Sequence, residues 1–318
     1  MEELSVENHE IDHLLTQIQQ IVVGKPEIIK LTVTALLAGG HVLFEDVPGV
    51  GKTTLARALA RSVAGDFKRV QFTPDLLPND ILGVSILNQQ TSQFDFHPGP
   101  IFTTMLLADE INRATPRTQS ALLQAMAERQ VTLDGHTYDL PANFFVLATE
   151  NPSEYAGTYP LPEAQLDRFL FSLQVGYPAT NDELALYSGT DRQTQLHQLQ
   201  AVLSEAELTE LKQAVTQVTV NPAITQYALA LVQATRQQAA IRLGISPRGG
   251  LALLQASRAY AFLNRRQYVL PEDIQAILVP TFSHRLVLAN GAQSLTAKQQ
   301  VVKDLLQTIP VPTAGSAK

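Results

Sequence analysis

From Ile21 to about Gln174, short apolar runs alternate with stretches whose apolar residues recur every three or four positions. Short buried runs separated by amphipathic helices are the pattern of an α/β unit built on a largely parallel sheet. The runs predict core strands at His41–Glu45, Arg69–Phe72, Met105–Asp109, Asn143–Thr149 and Leu170–Val175. Helices are predicted between them at Lys52–Ser62, Gln119–Glu128 and Pro162–Phe169. Five strands with intervening helices make a doubly wound sheet.

Two hairpins interrupt this plan. In the first, from about Val84 to Ile101, the alternation Gln93-Phe94-Asp95-Phe96-His97 reads as a strand and Pro98-Gly99-Pro100 as a sharp turn. In the second, Asp134-Gly135 separates Val131-Thr132-Leu133 from His136-Thr137-Tyr138, a spacing that favours a two-residue type I′ turn. After Gly176-Tyr177-Pro178 the periodicity is helical, with helices near 181–189, 205–217, 222–239, 248–265, 271–277 and 296–307. Ser204-Glu205-Ala206-Glu207 is a capping box, and Pro271 occupies the first turn of its helix. The expected organisation is an α/β domain over 1–178 carrying both hairpins, an all-α domain over 179–309, and a frayed tail over 310–318. The Gln-rich stretch Gln193 to Gln200 reads as an exposed joint or helix face.

Length agrees with two compact units, since 318 residues exceed one typical domain. With 45% hydrophobic and 17% charged residues the chain can bury a core. Lys+Arg 23 against Asp+Glu 30 gives a net charge of −7, which argues against a surface that tracks nucleic acid or anionic lipid throughout. A local basic groove stays compatible with that balance. The absence of cysteine removes disulfides, thiolate metal sites and cysteine nucleophiles together, and suits a reducing cytoplasm. Met1-Glu2-Glu3-Leu4 lacks the basic start of a secretory signal, and the most apolar stretch, Leu31 to Phe44, is broken by Gly39, Gly40 and His41. A cytoplasmic protein without membrane insertion is expected.

The strongest chemical signal is Asp46-Val47-Pro48-Gly49-Val50-Gly51-Lys52-Thr53-Thr54, between a predicted strand and a predicted helix. A phosphate chain is bound by converging backbone N–H groups, a helix N-terminus, a lysine reaching the β- and γ-phosphates, and a hydroxyl on Mg²⁺. Gly49 and Gly51 permit the turn, Lys52 supplies the cation and Thr53 the metal-facing hydroxyl, with Pro48, Val50 and Thr54 in the same cradle. The first position of the G-x-x-x-x-G-K-T pattern is Asp46 instead of glycine. Hydrolysis further needs a metal-ordering carboxylate and a group that activates water. Met105-Leu106-Leu107-Ala108-Asp109-Glu110 ends an apolar strand with both: Asp109 for the Mg²⁺ shell and Glu110 as general base.

Five ordered motifs resemble the MoxR family of AAA+ ATPases: Asp46–Thr54, Asp109–Ala114, Ala148-Thr149-Glu150-Asn151-Pro152, Leu161–Phe169 and Ser246-Pro247-Arg248. The resemblance runs from about Ile21 to Leu306. It implies an ATPase that forms a ring, expected to be a hexamer, and uses ATP and Mg²⁺, with both hairpins facing a central channel and a helical lid after the core. By the same resemblance, Asn151 is similar to the first sensor residue near the γ-phosphate, with Thr149 as the neighbouring alternative. Glu150 stands where relatives commonly carry an amide. Arg168 resembles the arginine finger offered to a neighbouring subunit, and Arg248 resembles the second sensor at the start of a lid helix. Val23 and Gly24 resemble the segment that contacts adenine. Each has a plainer reading: turn chemistry before Pro152 for Asn151, an ion pair with Asp167 or Glu163 for Arg168, a solvated helix start for Arg248, and core packing for Val22 and Val23. A structural salt bridge is the expected role of Arg113, and the histidines form no metal-ligand spacing.

Neither Gly83–Phe102 nor Gln130–Leu140 contains Lys or Arg, so the hairpins lack the phosphate contacts that a DNA motor needs. Phe94, Phe96 and Tyr138 suit a peptide or protein partner instead, although Phe94 and Phe96 could equally form the buried face of their hairpin. The expected function is ATP-driven, chaperone-like remodelling of partner proteins, with a von Willebrand factor A domain protein as the partner that the resemblance implies. A magnesium-chelatase-like metal-insertion subunit and a slow nucleotide-dependent switch are the alternatives.

Overall fold

Runs that are apolar on both faces become the interior strands of one sheet, because only a strand covered on both sides can bury consecutive apolar residues. The computed structural model describes residues 2–151, 157–187, 192–292 and 294–312. Pro152, the end of the predicted helix 181–189 at 188–189, and residues 313–318 of the expected tail lie outside the described residues.

Two helices, α1 (Glu2–Ile21) and α2 (Pro26–Leu37), lead into β1 (Val42–Glu45) and α3 (Lys52–Ser62). Then come β2 (Phe67–Gln71), α4 (Pro78–Leu82), a hairpin of β3 (Gly83–Asn88) and β4 (Gln93–Pro98), β5 (Met105–Asp109) and α5 (Pro116–Glu128). A second hairpin, β6 (Gln130–Leu133) and β7 (His136–Asp139), precedes β8 (Phe145–Glu150), the single turn α6 (Glu163–Leu166) and β9 (Phe171–Leu173). The core sheet is entirely parallel in the order β2-β5-β8-β1-β9. Its alternating side chains feed two cores. Val42, Phe44, Met105, Leu107, Phe145 and Leu147 face α1, α2 and α3, whereas Leu43, Leu106, Ala108, Val146 and Ala148 face α5. Helix α1 buries Ile11, Leu14, Ile18 and Ile21, a three- and four-residue repeat, against α3.

The strand order reverses between β1 and β8, and in open α/β sheets the carboxyl ends of strands at such a reversal leave a crevice. The predicted phosphate loop leaves β1 there, the acid pair leaves β5, and Asn151 leaves β8.

One predicted turn is misplaced. Pro98-Gly99-Pro100 is not the tip of the first hairpin; residues 89–92 are, closed by Ser92 N–H donating to the Asn88 carbonyl at 2.8 Å. Gly99 instead lets the chain pass Ile81, whose carbonyl oxygen would lie 2.2 Å from a Cβ at that position. The second hairpin does turn at Asp134-Gly135, with φ of 50° and 80°. Helix 162–169 shrinks to the one turn α6, because Leu170 N–H must reach the His41 carbonyl at 2.8 Å to enter β9.

Beyond β9 the chain is helical: α7 (Thr180–Tyr187), α8 (Arg192–Gln198), α9 (Glu205–Thr216), α10 (Pro222–Gln237), α11 (Pro247–Leu263), α12 (Pro271–Phe282) and α13 (Leu295–Thr308). A two-stranded antiparallel ribbon, β10 (Ile241–Leu243) with β11 (Val287–Leu288), is added to the helices. The Ser204 capping box forms as expected, with Glu207 N–H on Ser204 Oγ and Ser204 N–H on Glu207 Oε2. The Gln-rich stretch is helix α8, which buries only Leu196. Helices α9 and α11 pack on α2, so one apolar cluster runs unbroken from α1 to α13.

Candidate nucleotide-binding site

The loop after β1 turns through Gly49 and Gly51 at φ of 84° and 96°, a conformation that side chains rarely adopt. Asp46, the departure from the glycine of the motif, ties the root of this loop to the sheet. Its N–H donates to the Glu150 carbonyl, its Oδ1 accepts from Val47 N–H at 2.8 Å, and its Oδ2 accepts from Gly176 N–H at 2.6 Å. Lys52 opens α3 and is buried, with Nζ donating to the carbonyls of Asp46 at 2.9 Å and Val47 at 3.2 Å. Burial lowers its pKa, and the carboxylates of Asp46, Asp109 and Glu110 act against that shift.

Across the crevice the acid pair is held by a web the sequence did not reveal. Thr149 Oγ1 donates to Asp109 Oδ1 at 2.6 Å and accepts from Glu110 N–H at 2.8 Å. Arg69 on β2 donates twice to Asp109 Oδ2, at 3.0 and 2.6 Å. Glu110 sits at φ 56°, and its Oε2 accepts from Gln71 at 2.7 Å and Arg113 at 3.0 Å, which is the salt bridge expected of Arg113. A cleft of about 310 Å³ is lined by Lys52, Thr53, Asp109, Glu110, Thr149 and Asn151, with Arg69 and Gln71 at its outer edge. Pro48, Gly49, Gly51 and Thr54 line it as well. The Thr53 hydroxyl and Asp109 carboxylate form an all-oxygen donor set, which fits Mg²⁺. Val50 packs on the main core instead, and Val23 with Gly24 lies in the α1–α2 turn, outside this lining, where the Asp182 carboxylate covers Gly24.

Arg168 and Arg248 are not in that cleft. Both line a second one, together with Arg129 and Arg285. Asp167 does not pair with Arg168: it accepts from Arg285 Nε at 2.7 Å and from Ser246 Oγ at 3.4 Å, while Arg168 donates to the Leu123 carbonyl at 2.5 Å. Arg285 is buried and also donates to the carbonyls of Phe169 at 2.6 Å, Leu170 at 3.1 Å and Thr281. It fastens the helical part to the segment that carries Arg168. Nothing in its local sequence, His284-Arg285 after an apolar helix, announces this.

Of the buried histidines, His41 accepts from Val146 N–H at Nδ1 and faces the Met126 carbonyl at Nε2, and burial pulls its pKa to about 4. His284 faces the Phe169 carbonyl and is held well below the usual range by burial. Both are neutral structural groups, and among the described residues no cluster of three metal-binding side chains occurs.

The β1–β8 register sets Glu45 opposite Glu150 directly behind the phosphate loop. Glu45 accepts from Ser172 Oγ at 2.6 Å, whereas Glu150 Oε1 is enclosed without a hydrogen-bond partner. Burial, then repulsion by Glu45, pushes Glu150 up to about 8, with Lys298 opposing; burial raises Glu45 as well. A carboxyl raised in the folded state stays protonated while the unfolded chain ionises, so folding weakens as pH climbs from the ordinary carboxylate range to about 8. Denaturation between about pH 5.5 and 8.5 is expected to show a loss on the order of 3 kcal/mol that Glu150→Gln largely removes. An unchanged slope in the variant would sink that assignment.

A glycine-turned phosphate loop at the sheet reversal, an acid pair two strands away across β8 and a helical lid define an AAA+ ATPase. The sequence model of the ATPase family associated with various cellular activities (AAA) matches residues 41–171, and that of the AAA lid domain matches 233–305. Chaperone MoxR1 of Mycobacterium tuberculosis is 39% identical over 99% of this chain and 86% of its own. The uncharacterized protein YeaC of Bacillus subtilis is 50% identical over 94% of each chain. A crystal structure of a Cytophaga hutchinsonii protein superposes with a TM-score of 0.86 at 34% identity, covering 98% of both chains. The chain belongs to the MoxR family of AAA+ ATPases.

Proposed function

We propose that the protein hydrolyses ATP with Mg²⁺ at a ring interface and uses the cycle to remodel other proteins. The observation that carries this reading is the convergence of Lys52, Thr53, Asp109, Glu110 and Asn151 on one cleft. Backbone N–H groups from Gly49 to Thr54 and the Lys52 ammonium would hold the phosphates. Thr53 and Asp109 would hold Mg²⁺, which, when bound, supplies positive charge to the phosphate oxygens. Glu110 takes a proton from water as the water oxygen attacks the γ-phosphorus, and ADP leaves with the bridging oxygen. Asn151 orients that water; the Thr149 hydroxyl is already engaged by Asp109 and Glu110.

Arg168 and Arg248 share a cleft away from their own phosphate loop, which favours both acting on nucleotide held by an adjacent copy. On this reading residues 1–178 form the nucleotide-binding domain and 179–309 the lid, and copies close into a ring, with six the number the family resemblance suggests. A protein client, a von Willebrand factor A domain partner and a cytoplasmic setting complete the proposal. Among the described residues no helix is long and apolar enough to cross a membrane.

Replacing Lys52 with alanine tests the phosphate assignment. Loss of a charge-assisted contact to two phosphates is expected to weaken ATP binding by roughly 10- to 100-fold or more. Calorimetric titration showing wild-type affinity would sink the assignment.

A further inference from the structure

The two hairpins enclose a trough that the phosphate chemistry leaves unused. Register decides which side chains face it. In β3–β4, Ser85 pairs with Phe96 and Leu87 with Phe94, so both phenylalanines share one face. In β6–β7, Val131 pairs with Tyr138 and Leu133 with His136, again on one face. The faces meet where Phe96 stacks on Tyr138, with centroids 4.0 Å apart and an interplanar angle of 17°. Phe96 also packs edge-on against Phe102 at 5.4 Å. Phe96 and Tyr138 are thereby used in joining the hairpins.

Phe94, two residues along the same strand, is used for nothing in the fold. It is 71% exposed, its partner Leu87 is 51% exposed, and Ile86 and Val84 on the reverse face are exposed too. Between the hairpins lies a groove of about 690 Å³ lined by Ser85, Phe94, Leu133, Asp134, His136 and Tyr138. An apolar patch of this kind on a soluble surface marks a binding surface. The charge around it has one sign. Segments 77–102 and 130–140 carry Asp80, Asp95, Asp134 and Asp139, all exposed, and no Lys or Arg, with Asp95 and Asp139, paired with Ile86 and Gln130, on the reverse faces of their hairpins. Asp134 stands in the groove lining at the tip of the second hairpin.

We propose that this trough binds an extended segment of a protein client in which apolar residues alternate with lysine or arginine. The apolar side chains lie against Phe94, Leu133 and Tyr138, and the cations meet Asp134 at the rim. A strand's period of two presents one set to the apolar floor and the other to the acidic rim. Nucleic acid and acidic segments are repelled by the same charges. The inference rests on the protein-remodelling reading above and names the chemical class of its client.

The test uses the full-length protein with ATP and a fluorescein-labelled synthetic peptide of about 12 residues alternating Leu or Phe with Lys, beside the same peptide with Glu for Lys. An oligothymidine of similar length is the third probe. Anisotropy should show the Lys peptide bound roughly tenfold or more tightly than the Glu peptide and the oligonucleotide. Phe94→Ser should weaken the Lys peptide about tenfold with hydrolysis within about twofold of wild type. Asp134→Lys should abolish or invert the preference between peptides. Equal affinity for the two peptides, preference for the oligonucleotide, or an unaffected Phe94→Ser variant would each overturn the proposal. ATP turnover in the same samples reports the nucleotide site separately, so a failed trough and a failed ATPase assignment are distinguishable.

Discussion

Replacing Glu110 with glutamine is expected to leave ATP binding intact and lower steady-state hydrolysis by roughly 10²–10⁴, the worth of a positioned general base. Glutamine has nearly the same volume and can still accept the hydrogen bond from Gln71 through its amide oxygen, so the local fold should survive. It cannot take a proton from water. Phosphate release under saturating ATP measures the loss, and binding of a fluorescent nucleotide measures what remains. Turnover near the wild-type rate would remove Glu110 from the mechanism. Gln71 and Arg113 both donate to Oε2 of Glu110, which fixes the orientation of the carboxylate.

Arg168→Ala is expected to cost more, about 10³–10⁵ in rate, because an arginine finger neutralises charge that develops only in the transition state. The geometry makes the sharper prediction. Arg168 lies outside the cleft of Lys52 and Glu110, and Asp167, its obvious ion-pair partner, is taken by Arg285. If the finger serves a neighbour, mixing Arg168→Ala with Glu110→Gln subunits should restore hydrolysis. In a random equal mixture about a quarter of the interfaces would combine an intact Glu110 with an intact Arg168, so activity should recover toward that fraction. Turnover per protomer should also rise with protein concentration. Two variants that stay inactive when mixed would return Arg168 to a local role.

Several elements were legible because they depend on neighbours in sequence. The five core strands, the phosphate loop and the Asp134-Gly135 turn appear within a residue or two of their expected places. Misreadings arose where a local signal had a distant use. Proline and glycine at 98–100 looked like a hairpin tip, whereas Gly99 is demanded by the passing backbone of Ile81. Arg69 and Gln71, on an exposed edge strand, carried no motif at all, and only pairing with β5 brings them to Asp109 and Glu110.

By itself the sequence determined the α/β order, the phosphate-loop pattern that nominates candidate phosphate and metal residues, and the family, since periodicity and the P-loop spacing are properties of contiguous residues. Tertiary structure alone decided how the acid pair is held, why Arg168 stands apart from its own phosphate loop, and which of two phenylalanines on one strand is free to bind. Those outcomes depend on partners far along the chain: 40 residues separate Arg69 from Asp109, and 118 separate Asp167 from Arg285. A carboxylate or an aromatic ring acquires its role from whatever the fold brings within a few ångströms, and no local pattern encodes that proximity.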